Sequence, residues 1–220
     1  MEFASNVAQT EELAKAVRPL SSRALDDTEI NLQVDLGPIT IRLQGWVTGL
    51  YGSGLLRYRS GRLRSSDYLN AWIDHLALTL AGHPTATHML AYDKKEGVVH
   101  RVYPPLDKVQ AEQYMKQLLE LFLDGLDKPL AYFPESALAG VEANFSRGNW
   151  TPNDEKMLSK MEARFIGGYM QTGEGENPYI SRVWSEWDDG LANELKLVTQ
   201  LVLEAPRTVS VDAEEFYSQG

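Results

Sequence analysis

The stretch ITIRLQGWVTGLYGSGLLRYRS, residues 39–60, decides how this chain is read. Ile39, Ile41 and Leu43 alternate with Thr40, Arg42 and Gln44, the period of two of a half-buried strand. Gly45 interrupts the alternation, and Trp46, Val47, Leu50 and Tyr51 resume strand-like bulk. Gly52, Ser53 and Gly54 supply a turn, because glycine reaches positive φ at little cost. Residues 55–59, LLRYR, then run back, so one hairpin is expected across this turn. The charge pattern is distinctive too. No Asp or Glu lies between Leu36 and Ser66, yet Arg42, Arg57, Arg59, Arg62 and Arg64 all do. The 220-residue chain carries a formal net charge of -10, so this is a basic island in an acidic protein.

Outward from that stretch, residues 30–36 (INLQVDL) read as a preceding strand, and Gly37-Pro38 as a turn, giving an antiparallel meander. Downstream, Ser65-Ser66-Asp67 caps a helix over 68–82 whose apolar stripe is Leu69, Trp72, Ile73, Leu76 and Leu80. Residues 88–92 and 97–103 form a second strand pair around Asp93-Lys94-Lys95-Glu96. Asp107 caps a long helix to about 126, with Val109, Tyr114, Leu118, Leu121 and Phe122 inward. A short strand is expected over 130–133. Helices follow over 136–146, from a strong start at Thr151-Pro152-Asn153-Asp154-Glu155 to 169, over 179–187 and over 191–203, with an exposed loop at 173–178. Residues 1–9 read as poorly ordered, and a helix over 10–17 starts at Thr10 and ends at Pro19. The divisions are an N-terminal helix or linker over 1–29, a domain over 30–205 and a frayed tail over 206–220. The fold class is α/β (α+β), a mixed central sheet flanked by helices with a C-terminal helical cap.

Composition narrows function. The chain has no cysteine, which removes disulfides, thiolate metal sites and a cysteine nucleophile, and suits the cytoplasm. No apolar run approaches the roughly 20 residues of a membrane span, and MEFASNVAQTEEL shows neither the basic nor the apolar region of a signal peptide. A pI near 4.9 confines any polyanion contact to a local patch. Asp74-His75, His83 and His88 match no metal-ligand spacing, so no metal is expected there. Ser60, Ser65 and Ser66 fit no nucleophile–histidine order.

A metal-dependent nuclease needs an acid on one strand and an acid-x-lysine on the next, the carboxylates holding Mg²⁺ and the lysine steadying developing charge. Gly45-Trp46-Val47-Thr48 and Leu55-Leu56-Arg57-Tyr58-Arg59 stand in that order here. The chain thus resembles the PD-(D/E)xK nuclease domain of RecB type, read as G-x-I-D and L-L-D-Y-K. On that resemblance the fold is restriction-endonuclease-like. Thr48 and Arg57 stand where the acids would be, Arg59 where the lysine would be, and Trp72 where a glutamine precedes the helix's apolar face. An arginine about 4 Å from a divalent ion is repelled by roughly 8 kcal/mol at an effective dielectric near 20. The expected site holds no metal, needs no cofactor and cuts nothing.

Further pieces carry a narrower resemblance: IRLQGW, GLLRYR, AWIDHLAL, the Pro104 to Tyr114 segment, PLAYFPES, the ARF helix, and GEGE through RVW at Trp184. Together, from Ile41 to about Leu203, they resemble the C-terminal domain of the exodeoxyribonuclease V gamma chain, RecC; the first 30 residues match nothing in it. The resemblance implies a fragment of a larger bacterial cytoplasmic subunit. It also implies RecB and RecD as partners, single-stranded or forked DNA nearby, and a non-catalytic role in double-strand break repair. Candidate phosphate contacts are Arg42, Arg57, Arg59, Arg62 and Arg64. Candidate partner-docking residues are Trp184, Trp187, Glu174 and Glu176. Two alternatives stand beside this: an active Mg²⁺ nuclease using Asp67, Asp74 or Glu96, and a docking domain that touches no DNA.

Overall fold

The computed structural model describes residues 2–218. It opens with helix α1 (Glu2–Leu20), longer than the expected helix over 10–17. Nothing in ASNVAQ breaks a helix, so Thr10 sits in its interior and donates its hydroxyl to the Asn6 carbonyl at 2.8 Å instead of capping. Of the stretch expected to be poorly ordered, Met1 lies outside the described residues and the rest is helical.

Strands β1 (Thr28–Asp35) and β2 (Thr40–Val47) then form an antiparallel sheet of their own, from Thr28 opposite Val47 to Asp35 opposite Thr40. This corrects the expected hairpin. β2 pairs backward, because Ile41 and Leu43 lie opposite Val34 and Leu32, which puts both apolar rows on one face. The Gly52-Ser53 turn is where the sequence places it, but its upstream strand is only β3 (Leu50–Tyr51), paired with β4 (Gly54–Arg59). Gly49, at φ +76°, separates the two sheets along the chain.

The chain continues through α2 (Ser65–Leu80), β5 (Thr87–Asp93), β6 (Gly97–Tyr103) and α3 (Lys108–Asp127). Asp107 caps α3 as expected, its carboxylate accepting from Gln110 N at 2.9 Å. Next come α4 (Pro134–Ala143), β7 (Phe145–Ser146), β8 (Asn149–Trp150), α5 (Asp154–Ile166), β9 (Gly167–Gly168) and β10 (Gln171–Thr172). After a 3₁₀ turn at Glu174–Glu176 come α6 (Asp189–Thr199), which runs on into a π-helical turn, α7 (Ala205–Val209), β11 (Val211–Asp212) and α8 (Ala213–Ser218). No helix among the described residues is long and apolar enough to cross a membrane.

Two compact units result. The first comprises residues up to 63, 70–117 and from 209 on. Its centre is a mixed five-stranded sheet in the order β11-β6-β5-β4-β3, with β4 and β5 parallel and the other pairs antiparallel. Alternation gives the sheet two faces. On one, Leu56 and Leu90 pack under Leu13, Ala16, Val17 and Leu20 of α1. On the other, Thr87 and Tyr103 meet His75 and Trp72 of α2. The tail expected to fray instead joins this unit: Val211 and Asp212 pair with Val102 and Arg101, and Asp212 bridges Arg101 at 3.1 Å.

The second unit comprises residues 64–69 and 118–208. Its helices pack closely: a Cβ on Gly140 of α4 would come within 2.6 Å of Met161 of α5. Asn153 caps α5 by accepting from Lys156 N, as the Thr-Pro-Asn-Asp start implies. Buried Arg207 bonds Glu142 and lies 3.8 Å over the Phe145 ring. Two expected elements are absent. Residues 130–133 form no strand, Tyr132 N donating to the Leu130 carbonyl at 2.8 Å in a tight turn, and residues 179–187 are turns and irregular chain, with Asp188 capping α6 immediately afterwards.

Candidate functional site

The positions where a nuclease would hold its metal lie on β4 and the segment before β3. Arg57 and Arg59 are two residues apart on β4, on the face that meets α2. Arg57 is half-buried and held from several sides. Its Nε and Nη2 donate to the Asp74 carboxylate of α2 at 3.2 and 2.7 Å, and its Nη1 donates to the carbonyls of Thr48 at 2.8 Å and Leu56 at 3.1 Å. A Cβ on Gly49 would stand 2.8 Å from that Nη1, so the glycine next to Thr48 is what lets the guanidinium in. Thr48 and Arg57 therefore do converge. Thr48 contributes its backbone carbonyl rather than its hydroxyl to this contact. Arg59 lies on the same face, half-buried beside Gly61. Trp72 is buried in a ring cluster with His75, Tyr103 and Tyr114 at centroid distances of 5.0 to 5.8 Å.

Asp74 corrects one sequence-based expectation, that no acid lies near enough to neutralise Arg57. The acid is absent from the local stretch but arrives from the next helix. The pocket does not suit a divalent cation: its one carboxylate there already accepts two guanidinium bonds, and the cation it holds is covalently part of the chain. The alternative ligands do not assemble either. Asp67 accepts from Arg64 N at 2.8 Å, Asp74 is held by Arg57, and Glu96 sits in the β5–β6 turn, donating its N–H to Asp93. Among the described residues no three His, Asp or Glu side chains gather as a ligand set.

The remaining arginines occupy separate settings. Arg42, on the solvent face of β2, bonds Asn31 Oδ1 at 3.1 Å. Exposed Arg62 follows β4 in the first unit, and exposed Arg64 opens α2 in the second. The docking candidates have roles inside the second unit. Trp184 packs edge-on against Phe133 at 5.3 Å and Trp187 against Phe165 at 5.5 Å. The Glu174 carboxylate accepts from the N–H groups of Glu135 and Ser136 and the Ser136 hydroxyl, at 3.0, 2.6 and 2.7 Å, at the start of α4. Glu176 closes its own turn on Gly173 N at 2.8 Å.

Sequence reasoning missed a histidine pair. His88 Nδ1 lies 3.0 Å from His100 Nε2, and His88 Nε2 lies 3.0 Å from the Ser53 carbonyl. Donation to that carbonyl makes His88 Nδ1 the acceptor and His100 Nε2–H the donor, with both rings neutral. Burial lowers both pKa values, that of His100 to about 4. Their positions across the β5–β6 turn were the available signal, since Leu90 lies opposite His100 and His88 two residues before it on the same face.

A family model described as the RecC C-terminal domain matches residues 1–145. The chain belongs to this family. The match includes α1 and β1, which the sequence reading left outside the resemblance. The RecBCD enzyme subunit RecC of Escherichia coli (strain K12) is 27% identical over 161 residues, covering 71% of this chain and 14% of that protein. The subunits of the same name from two Buchnera aphidicola subspecies are similar. That of Buchnera aphidicola subsp. Acyrthosiphon pisum is 21% identical over 162 residues (71% of this chain, 14% of that protein), and that of Buchnera aphidicola subsp. Schizaphis graminum 24% over 149 (66% and 14%). The chain spans about 14% of the length of these relatives.

Proposed function

We propose that this chain acts as a non-catalytic module of a RecBCD-type helicase–nuclease, docking the RecB and RecD subunits and guiding separated DNA strands during break repair. The observation that carries the reading is the Arg57 guanidinium between Asp74 and the Thr48 carbonyl, filling the position where a nuclease of this strand order would bind its cation. A carboxylate-to-arginine change puts a cation where a nuclease needs an anion, and Asp74 neutralises that cation rather than restoring a metal ligand. The family match supports the assembly half of the reading. Of the five arginines considered for strand contact, Arg57 is set aside because four internal bonds hold it, and the reading keeps Arg42, which also bonds Asn31, with Arg59, Arg62 and Arg64.

The test has two arms. The chain is incubated with linear duplex and single-stranded DNA in Mg²⁺ or Mn²⁺, and the expected result is no cleavage above that of a chelated control. It is also mixed with purified RecB and RecD subunits, and co-elution is expected. Cleavage abolished by Asp74→Asn would replace this reading with the active-nuclease one, and failure to co-elute with either subunit would remove the assembly role.

A further inference from the structure

A cleft of about 650 Å³ opens in the first unit, away from the arginine-filled pocket. It lies beyond the carboxyl ends of β4 and β5, the parallel pair of the sheet, where open α/β sheets commonly receive ligands. Its size falls in the range of small-ligand sites. Ser60 and Arg62 line it from the segment after β4, Tyr92, Lys94 and Lys95 from the end of β5 and the turn that follows, and Thr10 from α1. Three cations thus converge from positions more than thirty residues apart in a chain whose net charge is -10. The lining carboxylate, Asp93, is turned to its own loop, accepting from the N–H groups of Lys95 at 2.7 Å and Glu96 at 3.3 Å. It shapes the turn that presents the lysines and also faces Arg62, and Glu12 bonds Tyr92 beside the cleft, so three cations meet two carboxylates there.

We infer that this cleft binds the phosphate groups of a nucleic acid strand or nucleotide, with Arg62, Lys94 and Lys95 holding the phosphate oxygens and Ser60 donating its hydroxyl. Arginine supplies a directional fork and the two lysines compact charges, and three cations spread around one cleft suit a tetrahedral group with several anionic oxygens. The two sources of such a group are a single DNA strand and a free nucleotide. The inference rests on the strand-guiding reading only for the choice of the strand as the source.

The test measures binding of a labelled oligothymidylate of about twelve nucleotides to the chain by fluorescence anisotropy, with thymidine monophosphate and inorganic phosphate as competitors. Lys94→Ala/Lys95→Ala is the variant, because both side chains are exposed. Wild type is expected to show a log K against log salt slope of about -2, from about 0.7 per contact, and the variant one of about -0.7 with affinity reduced on the order of tenfold at low salt. Lysine acetylation should show Lys94 and Lys95 protected by the oligonucleotide while Lys156 and Lys160 are not. If thymidine monophosphate or phosphate protects the same lysines and the oligonucleotide does not bind, the anion site stands with a free nucleotide as its source, and strand guidance falls. If oligonucleotide binding survives the double variant but is lost in Arg42→Ala/Arg59→Ala/Arg64→Ala, strand guidance stands and the cleft inference is overturned. Absence of binding or protection by all three probes also overturns it.

Discussion

At the scale of single residues, Arg57 carries the most argument. Its side chain and that of Asp74 are each about 30% exposed, between a surface ion pair, which contributes little, and a buried one. Three further features favour the pair over a surface bridge: two bonds to one carboxylate, a fixed third bond to the Thr48 carbonyl, and a glycine that admits the group. Removing Asp74 leaves a half-buried guanidinium with carbonyl partners alone. Asp74→Ala is therefore expected to cost about 1–3 kcal/mol in urea unfolding. A double-mutant cycle with Arg57→Ala should return a coupling of about 1 kcal/mol. A coupling under about 0.3 kcal/mol would put the pair with ordinary surface bridges and remove the case for a pocket held by its own cation.

At the scale of elements, the sequence revealed what local patterning controls and missed what distant partners control. The α3 cap at Asp107, the α5 cap at Asn153, the β5–β6 pair and the Gly52-Ser53 turn all follow from signals within a few residues. The buried row of α3 does not: Ala111, Met115 and Leu119 face inward, while Val109 and Phe122 of the expected stripe are exposed. Alanine and methionine carry weak signals, so the stripe was drawn through the larger residues. The same limit hid Asp74 beside Arg57, and the break at Gly49 that leaves β2 with its expected mate β1 but without β4. It also hid the cap of α4. Phe133 occupies the N-cap position and offers no side-chain acceptor, and Pro134 follows. Glu174, some forty residues on, supplies the missing carboxylate to three donors at the positive end of that helix. Glu174→Ala is accordingly expected to lower stability by about 1–2 kcal/mol, with Glu174→Gln recovering part of it through its remaining acceptor oxygen. Glu176→Ala, which loses one bond inside its own turn, should cost less. Equal denaturation midpoints for wild type and Glu174→Ala would show that the helix end is satisfied by water instead.

At the scale of the molecule, the excess of acidic groups and the buried imidazoles pull stability in opposite directions as pH falls. With 31 Asp and Glu against 21 Lys and Arg, acidification relieves self-repulsion, which alone would stabilise the fold. The histidines oppose this. His75 is fully buried with Nδ1 2.9 Å from the Thr87 hydroxyl, and burial lowers its pKa to about 4, partly offset by the Pro104 carbonyl. His100 is lowered to about 4 by burial and by His88, and His88 is lowered by burial; Phe216 and Tyr217 of α8 close over the pair. In the unfolded chain these rings protonate near their ordinary value of 6.5. Stability is therefore undiminished above pH 6.5 and falls as pH drops from there toward 4, because the unfolded state takes up protons that the fold refuses. His75 alone amounts to about 3 kcal/mol across that window. Ordinary carboxylates stay largely ionised down to about pH 5. The interval from 6.5 to 5 thus isolates the imidazole contribution, and His75 and His100 together imply an uptake of about two protons on unfolding near pH 5.5. The urea midpoint should consequently fall between pH 7.5 and 5.5, and fall less steeply in His75→Gln and in His100→Gln. A midpoint that rises over this interval would mean that charge repulsion dominates and that the rings are reached by water in the native state.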